Sequence, residues 1–256
     1  MIFVCNSELP IPDVMLQPVD NRLAKSIIHR YTAKMENVYH TLNRGVEKRE
    51  IFLDKQDYLR FVHNLYEFND EERVQNSIKI FRTDPKLTDT AARKKRKTIV
   101  DVLAFCLMPN HYHLMLSPRV KNGIPKFMSK INIGYAKYFN QKYEREGALF
   151  QGRYKKILLT DNTHFLHLPF YIHFNPLDLS HPEWRENKIG SPQKALEFLE
   201  SYKWSSHLEY LGAKNYGSVL NRKVLDEVFD GSAGYKKLVE TYLKYIQVDS
   251  KVSLEY

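Results

Sequence analysis

The sequence predicts an α+β domain, an antiparallel sheet with helices packed on it, followed by a helical C-terminal extension. Three observations carry this. Residues 100–118, VDVLAFCLMPNHYHLMLSP, hold two apolar runs rich in β-formers around a Pro-Asn break, as expected of two buried strands joined tightly. Residues 56–68 and 123–145 instead repeat their apolar positions at helical spacing. The chain has 256 residues, 43% of them hydrophobic, ample for one sizeable core.

Taken in order, residues 1–34 show little periodicity and are interrupted by Pro10, Pro12 and Pro18. They read as an appended, partly mobile segment with a short helix near 22–31, and Met35 is a natural start for the domain proper. NVYHTLNR (37–44) reads as a strand that Gly45 ends, and VEKREIF as a turn with a short strand or helical entry. Asp54 is placed to cap a helix over 56–68, whose stripe is Tyr58, Leu59, Phe61, Val62, Leu65, Tyr66 and Phe68. Residues 69–98 are polar, contain Arg93-Lys94-Lys95-Arg96-Lys97, and read as a long mobile loop. Five consecutive basic residues suit either phosphate contact or simple solvation.

After the central strands, Pro125 suits the first turn of the helix to about 145, which buries Phe127, Met128, Ile131, Tyr135, Tyr138 and Phe139. LFQGRYKKILL (149–159) reads as a strand with a bulge at Gly152. Asp161 or Thr163 can cap a helix over 162–174 that Pro169 should kink or locally unwind, and Asn175-Pro176 should end it. Residues 177–192 read as a polar loop. Helices follow over 193–201 and near 222–229 and 233–245, with Trp204-Ser205-Ser206 between the first and second. This divides the chain into a leader (1–34), a central domain (35–180) and an extension (181–256). No internal repeat is present.

The formal net charge is +9, which argues for an anionic partner such as nucleic acid or a membrane surface, or else for solubility alone. The two cysteines, Cys5 and Cys106, provide neither a disulfide framework nor a thiolate metal site, and fit a reducing cytoplasmic setting. No apolar run reaches the length of a membrane span, and the first residues do not look like a signal peptide.

The candidate chemistry begins with His111 and His113. Side chains i and i+2 of a strand share a face, so the two imidazoles stand together and Tyr112 faces the other way. Such a pair can share one divalent cation, or be an inert pair at a sheet end. With ten histidines in the chain a His-x-His arises by chance at roughly 0.4 per sequence, so the motif alone decides little. His40 in the first strand either joins this site or packs structurally. Tyr171 and Asn175 are four apart and lie on one helix face. Asn175 also reads as a helix C-cap. If that helix lies against the histidine strand, two imidazoles, an amide oxygen and a phenol meet. That donor set suits Mg²⁺ or Mn²⁺ with a substrate phosphate completing the shell. A phenol is a poor nucleophile near neutral pH. A metal polarising a phosphodiester makes its attack feasible, giving a covalent phosphotyrosine that conserves energy for rejoining.

At this point the chain resembles the REP-associated tyrosine transposases, a branch of the single-tyrosine, His-hydrophobic-His (HUH) transposases related to insertion-sequence transposases. The segments that carry the resemblance are YHTLNRGVEKREIF (39–52), AFCLMPNHYHLMLSP (104–118), YAKYFNQKYEREGALFQGRYKKIL (135–158), YIHFNPL (171–177) and WSSHLEYLG (204–212), in order over roughly 36–245. The resemblance implies a ferredoxin-like or RRM-like sheet. It implies that His111 and His113 are the metal-binding pair, Asn175 the third protein ligand and Tyr171 the nucleophile. It also implies cleavage of single-stranded DNA next to a hairpin, leaving a 5′-phosphotyrosine and a free 3′-OH, in a prokaryotic cytoplasm. Arg44, Arg153, Lys155 and Lys156 are the expected phosphate contacts, Arg153 and Lys155 being otherwise a solvated strand edge. Trp204 is a core residue or a base-stacking platform. The expected partner is hairpin DNA, bound by a monomer or homodimer. Two other functions compete: a non-catalytic, domesticated regulator that holds hairpin DNA or RNA, and a replication-initiator or relaxase endonuclease, which the single-tyrosine layout and the Trp-Ser-Ser segment disfavour.

Overall fold

The computed structural model describes residues 37–72, 96–160 and 162–247. The leader, Arg93 to Lys95, and the capping role expected of Asp161 or Thr163 lie outside the described residues.

The four strands are β1 (Tyr39–Arg44), β2 (Val100–Met108), β3 (His111–Pro118) and β4 (Lys155–Leu158). They form one sheet in the order β2-β3-β1-β4, every neighbouring pair antiparallel. Helix α1 (Lys55–Glu67) links β1 to β2, and α2 (Gly123–Lys142) links β3 to β4. The element order and strand order together are those of the ferredoxin-like split βαβ arrangement. The strand expected over 149–159 is shorter than expected: only four residues pair with β1, and Phe150 makes a single bridge to Gly45.

The two faces of the sheet bury different things. Phe105, Leu107, Tyr112, Leu114 and Leu116 pack beneath α1 and α2 with Phe61, Leu65, Phe127, Met128 and Ile131. Ala104, Cys106, Met108 and Met115 pack on the opposite face with α3 (Asn162–Phe174) and the helices beyond it. In β2 the parity changes midway. Val102 pairs with Leu116 and Ala104 with Met115, so Leu103 is an inserted residue. Such a bulge flips the side chains after it to the other face. Val100 and Val102 before it and Phe105 and Leu107 after it therefore reach the same core.

Local chemistry accounts for the element ends. Asp54 accepts from the backbone N–H groups of Gln56 and Asp57, and the Asp57 carboxylate accepts from Asp54 N–H, a reciprocal capping box. Asp57 is fully buried and also ties α1 to α2: Tyr138 and Tyr143 donate to it at 3.0 and 2.7 Å, and Lys142 at 2.7 Å. These tyrosines are thus clamp residues rather than plain packing. Arg96, from the basic run, donates to the Tyr66 carbonyl and lies 3.5 Å from the Tyr66 ring centre, so this member of the run is a structural anchor. Helix α3 runs without interruption through Pro169, where a kink or unwinding was expected. Its apolar side chains Phe170, Ile172 and Phe174 are buried in the second core, which holds the helix against the missing N–H.

Beyond α3 come α4 (Pro192–Ser201), α5 (His207–Tyr210), α6 (Lys223–Val228) and α7 (Gly231–Tyr245). The stretch read as a polar loop, 177–192, instead contains two 3₁₀ turns, Asn175–Leu179 and Pro182–Glu186, and buries Leu177, Trp184 and Ile189. The extension also closes the open edge of β2. Leu107 donates to the Trp204 carbonyl, Ser206 donates to the Phe105 carbonyl and its hydroxyl accepts from Phe105 N–H, and Tyr202 and Tyr210 donate to the carbonyls of Leu107 and Leu103. An uncovered edge would present these groups unpaired. Trp204 is stacked between Tyr58 (4.5 Å between centres) and Tyr216 (6.3 Å), which makes it a packing residue on both ring faces. No helix among the described residues is long and apolar enough to cross a membrane.

A buried polar network ties α3 to the extension. His173 reaches the Tyr235 hydroxyl at 2.6 Å through Nδ1 and the Ser206 hydroxyl at 2.7 Å through Nε2, and His207 Nδ1 lies 2.8 Å from the same Tyr235 oxygen. Burial pushes the His207 pKa down to about 3, and His173 is likewise held low by burial and by neighbouring His207. The unfolded chain takes up a proton below about pH 6.5 that the folded chain refuses, so stability is complete above that pH and is lost as the pH falls toward 3. His207 alone should cost about 2 kcal/mol between pH 7 and pH 5. Urea denaturation at the two pH values measures this, and Tyr235→Phe should cost about 1–3 kcal/mol at pH 7 by stranding the two imidazoles.

Candidate active site

The site lies on the second face, at the end of the sheet where β3 begins. Register explains who is present. His40 pairs with Met115, Leu42 with His113 and Arg44 with His111, so the even-numbered side chains of β1 share a face with both histidines of β3. Thr41 points the other way, its hydroxyl toward Met128 of α2. Helix α3 covers this face by packing on β2 and β3, and brings the Tyr171 ring edge-on to His113 (5.6 Å between centres) and to His40 (5.8 Å).

Hydrogen bonds settle which ring nitrogens are available. Asn110 donates through Nδ2 to the Lys48 carbonyl at 3.2 Å, which leaves Oδ1 facing His111 Nδ1 at 2.6 Å. An amide oxygen only accepts, so the His111 proton sits on Nδ1 and Nε2 keeps its lone pair. His113 Nδ1 is 2.8 Å from His40 Nε2, and the two rings are stacked. In the tautomer in which His113 donates to His40, its Nε2 keeps a lone pair as well. Both rings are neutral. Burial pushes His111 down to about 4, with Arg44 and Arg185 adding to the effect and Asp178 and hydrogen bonding with Asn175 opposing it. His113 is held well below the ordinary histidine value by burial and then by His111 and His40.

Asn175 is fully buried, and its orientation is equally determined. Its Nδ2 donates to the Tyr171 carbonyl at 2.7 Å, completing a C-cap, while its Oδ1 accepts from Arg185 Nη2 at 3.0 Å. The cap reading of Asn175 therefore holds. The donor set is two neutral imidazole nitrogens with their other nitrogens anchored, and one amide oxygen. This chemistry fits a divalent cation, and the anchored nitrogens orient the rings as ligand rings are usually oriented. Among the described residues no cluster of three or more His, Cys, Asp or Glu side chains is placed to hold a metal ion.

The expected phosphate contacts do not share one surface. Arg44 stands across from His111 on the site face. Lys155 is opposite Leu42 and exposed on that same face, whereas Lys156, opposite Thr41, turns to the other face with its ammonium 4.9 Å over the Tyr39 ring. Arg153 is exposed just before β4.

Three contributors were not assigned to the site from sequence. His40 was left between site and core, and only strand register shows its bond to His113. Asn110 read as a turn former, a role it also has. Arg185 fell in the stretch taken for a polar loop. It donates to both oxygens of Asp178 at 2.7 Å and stands 5.6 Å from the Tyr171 ring centre. The buried Trp184 beside it was the available signal. Gly45 supports the geometry from outside. A Cβ there would lie 2.3 Å from the Arg49 carbonyl oxygen, so only glycine permits the turn that presents the Lys48 carbonyl to Asn110.

Residues 61–175 match the family model described as "Transposase IS200 like". The matched span runs from α1 to Asn175. It takes in the central hairpin, both site histidines and Tyr171, and leaves out β1 and everything after Asn175. No curated protein and no solved structure matches the chain.

Two substitutions test this construction. His40→Leu keeps the bulk but strands His113 Nδ1, and should cost about 1–3 kcal/mol by urea denaturation. Gly45→Ala should cost a similar amount, about 1–3 kcal/mol, because the clash is with backbone.

Proposed function

We propose, from the match of residues 61–175 to the IS200-like transposase family, that the chain cuts and rejoins single-stranded DNA near hairpins with Tyr171 as nucleophile. That match indicates a DNA transposase, in a family that generally uses a divalent metal. In our reading His111 Nε2, His113 Nε2 and Asn175 Oδ1 hold Mg²⁺ or Mn²⁺, which when bound withdraws charge from the scissile phosphate. Arg44 and Lys155 contact flanking phosphates on the same face, with Arg153 and Lys156 gripping the strand farther out. The Tyr171 hydroxyl oxygen attacks phosphorus, the bond to the 3′-oxygen breaks, and the proton lost by the phenol is made up on the departing 3′-OH. The 5′-phosphotyrosine keeps the bond energy for the reverse attack. Helix α3 contributes by position: it is held by its buried apolar side and by the His173 network, so Tyr171 is presented to the site without a large rearrangement. The setting this implies is a prokaryotic cytoplasm.

The observation that carries this reading is the convergence of four groups from three elements. Two anchored, neutral imidazoles, an amide oxygen with a fixed orientation and a phenol meet on one face of the sheet. Structural packing alone does not require these four groups to meet on one face.

The test is a denaturing gel with labelled single-stranded hairpin DNA from the flanks of the chain's own gene. A slow-migrating covalent band should form with Mn²⁺, vanish with chelator and vanish in Tyr171→Phe, while hairpin binding persists in that variant. Binding with no adduct under any metal would instead make the chain a non-catalytic hairpin binder. By titration calorimetry, His40→Leu should weaken Mn²⁺ binding by about 10–100-fold, because His113 loses the partner that orients it.

A further inference from the structure

Arg185 sits at the centre of the site yet lies outside the span that matches the family model. Its side chain is three-quarters buried, and each polar partner has a distinct part. Nε and Nη2 donate to Asp178 Oδ1 and Oδ2, both at 2.7 Å, a bidentate pairing that fixes the plane of the guanidinium. Nη2 also donates to Asn175 Oδ1 at 3.0 Å. Asp178 is itself held by the Trp184 indole N–H at 2.7 Å. Thus oriented, the guanidinium lies beside Tyr171, its carbon 5.6 Å from the ring centre.

Asp178 and Asn175 alone would make Arg185 a structural staple, yet the guanidinium they fix also lies beside the Tyr171 ring. We propose that Arg185 is a catalytic residue: its guanidinium donates to the Tyr171 hydroxyl oxygen and offsets the negative charge that gathers there as the phenol attacks phosphorus and again as the phenolate leaves during rejoining. The inference rests on the nucleophile reading above. Arg185 gives up no proton in either direction. The bond formed is from Tyr171 oxygen to phosphorus, the bond broken is from phosphorus to the 3′-oxygen, and the proton balance is that already described. The other charged or titratable groups facing Tyr171 are His40 from β1, His113 from β3 and Asp178 from the turn, with Arg44 and His111 behind them. An arginine guanidinium stays protonated in proteins, so Arg185 faces Tyr171 as a cation.

The experiment measures single-turnover adduct formation and rejoining with the hairpin substrate in Mn²⁺, together with hairpin affinity and thermal melting, for the native chain, Arg185→Lys and Arg185→Ala. The expected result is a fall of about a hundredfold in both rates for Arg185→Ala, with hairpin affinity changed less than about threefold. Arg185→Lys should recover part of the loss, and added ethylguanidinium should rescue Arg185→Ala but not Tyr171→Phe. The inference is overturned if Arg185→Ala reacts at the native rate, or if its rates fall only in step with melting and neither lysine nor ethylguanidinium restores them. Failure of the nucleophile reading shows itself elsewhere: the native chain would then form no Tyr171-dependent adduct, and this inference would fall with it.

Discussion

The antiparallel pairing of β1 with β3 is the constraint on which the rest of the site depends. Side chains alternate with a period of two, so this register decides that His40, Arg44, His111 and His113 all emerge on one face. A slip of one residue would turn His40 and Arg44 beneath the α1/α2 layer and bring Thr41 and Asn43 to the imidazoles. The register is secured from both sides. Leu114 and Leu116 need the first core and Met115 needs the second, so a slipped strand would expose or strand each of them. Hydrophobic burial thus fixes the placement of polar groups that contribute little to burial themselves.

Around that frame, the polar groups of the second face are satisfied in chains. The Lys48 carbonyl holds Asn110, Asn110 holds His111, His40 holds His113, and Asp178 with Asn175 holds Arg185. Each link removes one rotational freedom from a side chain that the proposed chemistry uses. An unpaired buried polar group costs about 1–3 kcal/mol, so these chains resist rearrangement as units. The same logic extends to the C-terminal extension. It closes the β2 edge with Trp204, Ser206, Tyr202 and Tyr210, and it holds α3 through His173. The extension is therefore part of what positions Tyr171, although it lies wholly outside the span that matches the family model.

Charge is arranged in two tiers. At the site the histidines are neutral through burial, and Arg185 is matched by Asp178. Farther out, Arg153, Lys155 and Lys156 are exposed and carry part of the +9 net charge. Exposed cations on a mobile polyanion act mainly through long-range attraction, whereas the inner arginine acts by contact. The division of Lys155 and Lys156 between the two faces follows from strand alternation and would be lost in any reading that treated them as one patch.

The sequence by itself determined the principal helices and the central hairpin, because these depend on local signals. Hydrophobic period marks α1 and α2. Pro109-Asn110 marks the central turn, and Asp54 marks a helix start that the structure caps as expected. His111, His113, Tyr171 and Asn175 were legible as spacings of two and four. Only the tertiary structure decided what lies far apart in sequence. The His40–His113 bond spans 73 residues and exists through strand register. Arg185 reaches Tyr171 because two 3₁₀ turns fold the chain back, and the composition of 177–192 suggested solvent instead. The length of β4 and the continuity of α3 through Pro169 were likewise set by packing, which overrides local preference wherever enough apolar surface is buried.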